Sequence, residues 1–256
     1  QSESDRAFNF TTRCTILAMN ALVIFALLAC CARAALMPTK ALAAANGTID
    51  FDLYVLAYTW TPEFCYGNEA YPGCAAPQSF WTNHFTMHGL WPQYTAGGYP
   101  ADCTTEAYDE KSAYAVGFDT MTNYWPEVEY SETDPEYTSF WNHEWTKHGT
   151  CTGLAQTAYF QNTIDLITRV GTPASVVTAA SAASPATPGS VDAASLRTEM
   201  GGAAYVSLQC EGGNYLSGAY TCWAQTGGIP TNQQPCPSDV ISEDTCTSSS
   251  IIVTTL

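Results

Sequence analysis

Eight cysteines, Cys65, Cys74, Cys103, Cys151, Cys210, Cys222, Cys236 and Cys246, are spread over the chain beyond residue 60. An even set behind an apolar N-terminal segment reads as a disulfide framework, not as reactive thiols. No Cys-x-x-Cys occurs among them, which argues against a zinc ribbon or a thioredoxin-type site. Spacing alone does not give the pairing. The chain of 256 residues is long enough for one domain with a real core. The fold it can adopt is therefore a cross-linked one, built for an oxidising compartment.

The other three cysteines, Cys14, Cys30 and Cys31, fall in a segment with a different reading. Arg6 and Arg13 precede an apolar run from Ile16 to Ala32, and small residues follow at Ala32-Arg33-Ala34 and Ala41-Leu42-Ala43. That order is the one of a secretory signal peptide, the alternative being an uncleaved membrane anchor. Residues 1–44 are expected to be this leader, cleaved near 34–44, and residues 45–256 the mature domain. Asn46-Gly47-Thr48 is a glycosylation acceptor just beyond. The expected destination is outside the cell or the lumen of a lysosome or vacuole, with no membrane association after cleavage.

The formal net charge is −16, and only eight residues are Lys or Arg. Binders of duplex nucleic acid draw most of their affinity from basic contacts to phosphate, so this chain is not one of them at neutral pH. Against that background one short block is unusual. Phe140-Trp141-Asn142-His143-Glu144-Trp145-Thr146-Lys147-His148-Gly149-Thr150-Cys151 holds two of the four histidines, a Glu and a Lys. Phe85-Thr86-Met87-His88-Gly89-Leu90-Trp91-Pro92 holds a third histidine. On a helix, at about 100° per residue, His143, Glu144, Lys147, His148 and Phe140 fall within one arc, and Trp141 and Trp145 fall toward the other side. Gly149 is placed to end such a helix. Two imidazoles, a cation and a carboxylate suit phosphoryl transfer to an internal hydroxyl: one imidazole takes a proton, the other gives one, and the cation holds charge on phosphorus. A zinc site fits poorly, since the next His after His143-Glu144 comes five residues on and position 147 is a cation. His84 lies outside the block and reads as a surface or structural histidine.

These blocks, His-Gly-Leu-Trp-Pro and His-Glu-Trp-x-Lys-His-Gly-Thr-Cys, resemble the two signatures of the ribonuclease T2 family, with weaker likeness over roughly residues 50 to 250. The resemblance implies an α+β fold, a central antiparallel sheet with helices packed around it in a single disulfide-bonded domain. It implies the pairs Cys65–Cys74, Cys103–Cys151, Cys210–Cys246 and Cys222–Cys236. It implies an endoribonuclease that cleaves single-stranded RNA by transphosphorylation to 2′,3′-cyclic phosphate ends, an RNA lyase needing no metal or other cofactor. His88 and His148 would be the acid and base, in an order left open. Glu144 and Lys147 would stabilise the phosphorane, and His143 would bind phosphate. Trp91 and Tyr99 match a first base pocket, and Pro126 and Phe140 match a second. Gln93 stands where the family's first pocket has an acid, and Thr59 where its second has a Gln. The 2′-OH requirement excludes DNA, and a monomer is expected. The alternative is a non-catalytic secreted relative used for binding or signalling.

Along the chain, residues 50–60 read as a buried strand, His88 to Pro92 as a strand end running into a Gly-rich loop, and residues 105–124 as a helix stopped by Pro126. The carboxylates at 127, 129, 132, 134 and 136 predict a solvated loop. Helices are expected near 138–149 and 154–170, and strands at 204–209 and 220–224. Residues 171–195, rich in Ala, Ser, Thr and Pro, are expected to be a surface insertion or poorly ordered loop. The negative field next to the His-rich block is expected to raise the histidine pKa values, while repulsion of RNA eases at acid pH.

Overall fold

The computed structural model describes residues 50–184 and 186–256. The expected leader, its cleavage site and the Asn46 acceptor lie outside the described residues. In chain order the elements are β1 (Leu53–Thr59), α1 (Thr61–Cys65), α2 (Pro72–Ala75), β2 (Thr86–Gln93), α3 (Glu110–Tyr114), α4 (Phe118–Tyr124), α5 (Ser139–Lys147), α6 (Gln156–Val170), α7 (Ala174–Ala182), β3 (Gly189–Asp192), α8 (Ala193–Glu199), β4 (Val206–Glu211), β5 (Tyr215–Thr226), β6 (Ile229–Gln234), α9 (Ser238–Ser242) and β7 (Ser250–Val253). The fold is α+β, with a seven-stranded sheet ordered β2-β1-β5-β7-β3 and with β4 and β6 also paired to β5. The pairings are antiparallel except for one parallel contact between β5 and β7 at Tyr215 and Ile252.

β1 shows why its sequence alternates so poorly. Tyr54, Leu56 and Tyr58 enter the main core with Tyr159, Phe160 and Ile164 of α6. Leu53 and Val55, on the opposite face, join Cys222 and Val240 in a second cluster against which Trp91 packs. A strand covered on both faces is apolar throughout. Disulfides join Cys65 to Cys74, Cys103 to Cys151, Cys210 to Cys246 and Cys222 to Cys236.

Three local expectations change. The single helix over 105–124 is two short helices, because Gly117 takes φ 116° between them, a conformation that ends a right-handed helix. The acidic stretch is a loop, but not solvated throughout: Glu127 and Val128 are buried, while positions 129, 132, 134 and 136 are exposed. Residues 171–195 are not a structureless insertion. They hold α7 and β3 and lead into α8. The small residues serve close packing: Val176, Ala179 and Ala180 of α7 are buried, and a Cβ on Gly189 would overlap the Ala179 backbone. Asp192 caps α8, its Oδ1 accepting from the Ser195 N–H at 2.8 Å.

Candidate active site

His88 reaches the site through an irregularity in β2. The register runs Ala57↔Gly89 and then Tyr58↔Met87, so His88 has no partner on β1. This is a β-bulge, which bends a strand and re-aims a side chain. Strict alternation would put residues 88 and 91 on opposite faces of the sheet. With the bulge, both line one cavity, their ring centroids 5.2 Å apart. The Trp125 indole N–H holds the bulge by donating to the His88 carbonyl at 3.0 Å.

The second half of the site comes from α5. Trp141 and Trp145 lie in the core, as the helical arc requires. Trp141 Nε1 donates to the Trp125 carbonyl at 2.8 Å, which ties α5 to the segment before the second cavity. The helix ends at Lys147, and His148 is its C-cap, still donating its N–H to the Glu144 carbonyl at 3.0 Å. Gly149 does not act there as a left-handed stop. It opens a tight 3₁₀ turn and is Gly because a Cβ would overlap the Trp145 ring. The Cys103–Cys151 bridge fastens this end of the helix.

Two cavities flank the histidines. The first, about 280 Å³, is lined by His88, Trp91, Tyr99, His143, Lys147 and His148, among others. The second, about 430 Å³, includes Thr59, Pro126, Glu127 and Phe140, and shares His88 and His143 with the first. Phe140 meets His88 edge-on, with centroids 5.4 Å apart. Trp91 lies nearly parallel to the His148 ring at 5.3 Å. Tyr99 is exposed at the rim, 6.0 Å from His148, with Lys147 Nζ 5.8 Å from its ring centre. All nine side chains named from sequence outside the disulfides thus gather around these two cavities.

Glu144 shares the arc of His143 and Lys147 but is buried. It is 1% exposed, yet its carboxylate lies at the site: Oε2 accepts from Trp91 Nε1 at 2.8 Å, and Oε1 is 4.0 Å from His88 Nε2. Burial pushes its pKa up to about 8, against the opposing effects of the Trp91 hydrogen bond and the Lys147 charge. The histidines move the other way from the expectation. Burial, aided by the positive charges of Lys147, His143 and His88, lowers His148 to about 3. Its Nδ1 is buried with no hydrogen-bond partner among the described residues. His88 is half exposed, but lost hydration in its aromatic setting, then His143 and Lys147, also lower its pKa. The acidic field is overruled because desolvation and nearby cations act at close range, whereas the carboxylates at 129, 132, 134 and 136 are exposed and screened.

Sequence reasoning missed several residues of the site. Gly89 permits the Trp91–Glu144 bond, since a Cβ there would overlap both Glu144 Oε2 and Trp91 Nε1. Glu127, buried beside the second cavity with a pKa raised chiefly by that burial, was counted as part of a solvated run. Tyr220 and Glu243 line the first cavity from far along the chain. Asp239 Oδ2 accepts from Gln93 Nε2 at 3.1 Å and from the Gly98 N–H at 2.8 Å, which braces the loop before Tyr99. The glycine's place inside the His-Gly-Leu-Trp-Pro block was its one available signal. His84, by contrast, is structural: it stacks on Phe80 at 3.9 Å, its Nδ1 at 2.9 Å from the Phe80 carbonyl.

The family model of the ribonuclease T2 family matches residues 51–231. The chain belongs to the ribonuclease T2 family. Among its relatives are the intracellular ribonuclease LX of Solanum lycopersicum, 35% identical over 47% of this chain and 49% of that protein, and the extracellular ribonuclease LE of the same plant, 31% identical over 51% and 56%. The chain spans about half the length of the curated relatives it matches. The crystal structure of RNase NT in complex with 5′-AMP is similar at TM-score 0.55 and 26% identity, over 73% of this chain and 91% of that one. Both signature blocks of the ribonuclease T2 family lie inside the matched span.

Proposed function

We propose that residues 45–256 form the catalytic domain of an endoribonuclease that cleaves single-stranded RNA by metal-independent transphosphorylation. The observation that carries this reading is the convergence of His88, His143, Lys147 and His148 on one cavity, with His88 and His143 shared by a second. A scissile phosphate at this partition leaves a cavity on each side for a base. One of His88 and His148 accepts the proton of the ribose 2′-OH as it attacks phosphorus. The other protonates the departing 5′-oxygen, giving a 2′,3′-cyclic phosphate. Lys147 holds the charge on the phosphorane and His143 the phosphate. Glu144 supports that charge best as the neutral acid its raised pKa favours, since a carboxylic acid can donate a hydrogen bond and a carboxylate cannot.

Trp91 and Tyr99 supply stacking surface in the first cavity, and Pro126 and Phe140 in the second. Stacking matters more here than phosphate contacts, because only Lys111, Lys147, Arg169 and Arg197 are Lys or Arg in residues 50–256, and Arg197 is paired with Asp244 at 2.9 Å. The 2′-OH requirement makes DNA a non-substrate. The enzyme is placed in an oxidising compartment, secreted or within a lysosome or vacuole, and works as a monomer. The four disulfides support that placement. No described helix is long and apolar enough to cross a membrane.

Degradation of RNA at pH 4–7 in EDTA tests the reading. Full activity with 2′,3′-cyclic ends is expected. Loss of activity in EDTA, restored by zinc or magnesium, overturns it, and no cleavage under any condition favours a binding relative.

A further inference from the structure

The first cavity continues beyond the catalytic histidines. Its far wall is made by Val55, Val240 and three polar side chains, Gln93, Tyr220 and Glu243. Gln93 is 6% exposed, and its amide can sit one way only. Nε2 donates at 3.1 Å to Asp239 Oδ2, which also accepts the Gly98 N–H, and a carboxylate has no proton to give an amide oxygen. Gln93 Oε1 is thus a fixed acceptor, with no donor among the described residues. Glu243 is the C-cap of α9, four residues after Asp239 and on the same side of that turn. It lies past residue 231, where the family match ends. Burial, then the charge of Asp239, raises the Glu243 pKa, and Glu243 adds in turn to the raised pKa of Tyr220. No ion pair engages the Glu243 carboxylate among the described residues. Tyr220 meets Trp91 edge-on at 5.5 Å, so these acceptors stand beside the stacking surface.

We propose that the first cavity selects guanine, whose N1–H and N2–H₂ donate to the Glu243 carboxylate and the Gln93 amide oxygen while the base packs against Trp91 and Tyr99. Guanine alone among the four bases carries two adjacent donor groups on its Watson–Crick edge. Adenine and cytosine set an acceptor beside their amino group, and uracil has one donor between two acceptors. Against two fixed acceptors, each of those bases leaves acceptor facing acceptor, unpaired and desolvated. Asp239 does not touch the base. It is a positioning residue, holding the Gln93 amide in the orientation that presents its oxygen. The inference rests on the endoribonuclease reading and names the base which that site takes.

Two measurements at pH 7, above the ordinary carboxylate range, test this: cleavage of the full set of dinucleoside phosphates, and calorimetric binding of guanosine and uridine 3′-monophosphates. Guanine is expected to exceed uracil about tenfold in kcat/KM at one of the two base positions, the step one bond to a charged group typically makes. Glu243→Gln, at an exposed position that does not threaten folding, keeps the shape and removes the charge. It is expected to cut the guanine-to-uracil ratio about tenfold, through KM more than kcat. Asp239→Asn frees the Gln93 amide to turn and is expected to lower the same ratio several-fold. Calorimetry reads the cavity without turnover. Absence of cleavage therefore defeats the endoribonuclease reading, whereas tighter guanosine binding that Glu243→Gln abolishes still upholds the cavity's selectivity. Preference for another base, equal treatment of guanine and uracil, or a guanine preference untouched by Glu243→Gln overturns the proposal.

Discussion

The indole N–H of Trp91 donates a 2.8 Å hydrogen bond to Oε2 of Glu144, joining the two signature blocks at their buried edge. The bond sets both ring and carboxyl. It holds Trp91 beside His148 and keeps Glu144 Oε1 within 4.0 Å of His88. It also depends on Gly89, whose missing side chain leaves the space the two groups occupy.

Gly89→Ala is therefore expected to damage activity more than its size implies. The added methyl pushes Trp91 and Glu144 apart, at an overpacking cost of about 1–3 kcal/mol. RNA cleavage should fall at least about tenfold, since misplacement by a fraction of an ångström is costly in catalysis. Trp91→Phe keeps a ring but removes the donor, and should lower the rate and cost about 1–3 kcal/mol of stability, because the buried Glu144 Oε2 is left without a partner. Wild-type kinetics in both variants would remove the bond from the mechanism.

His88→Ala and His148→Ala are each expected to lower kcat by at least about 10²-fold, the usual range for a general acid or base being about 10²–10⁴. Circular dichroism should be unchanged. Near wild-type turnover by either variant contradicts the assignment.

The pH profile follows from the lowered histidines. Both imidazoles are neutral in the free enzyme near pH 7, and the reaction needs one protonated. Falling pH supplies that proton, and an arriving phosphate anion raises the pKa of the imidazole beside it. Acid also relieves the repulsion of RNA by a chain of net charge −16. The two effects now act together, so kcat/KM should be bell-shaped with its optimum below pH 6.5. Added salt should raise activity at pH 7 by screening long-range repulsion. An optimum at or above pH 7.5 with no salt response would rule out this account.

Glu144→Gln separates stability from catalysis. A carboxyl raised in the folded state to about 8 contributes stability that is fully present below its unfolded value and is lost as pH rises through about 8. Gln is neutral throughout. The variant should thus be more stable than the parent at pH 8 by up to a few kcal/mol, and equal to it below pH 4.5, while keeping much of its activity, because the neutral amide still donates a hydrogen bond. Urea unfolding at both pH values measures this, and a parent more stable than the variant at pH 8 refutes the burial argument.

The Cys103–Cys151 bridge closes a separation of 48 residues. In the chain-entropy limit its removal costs about 4 kcal/mol. The double Cys103→Ala, Cys151→Ala variant should lose stability of that order and lose activity as well, because the bridge fastens the turn after His148. An intact melting temperature would show that the bridge is dispensable.

What sequence alone determined here is what local spacing and chemical type can carry. The helical arc of α5 put His143, Lys147 and Phe140 on one side and Trp141 and Trp145 on the other, because 3.6 residues per turn is a property of any helix. The two signature blocks identified the family and named His88, Trp91, Phe140, His143, Glu144, Lys147 and His148 at its two cavities. Tertiary structure decided the rest, because burial and close approach depend on what arrives from elsewhere in the chain. The bulge at His88 exists only against β1, and the burial of Glu144 needs Trp91 from 53 residues away. Counting charge predicted raised histidines, but desolvation, which no composition records, lowered them. The small residues of 171–195 looked like loop until α7 met β3 at a distance that only Gly189 allows.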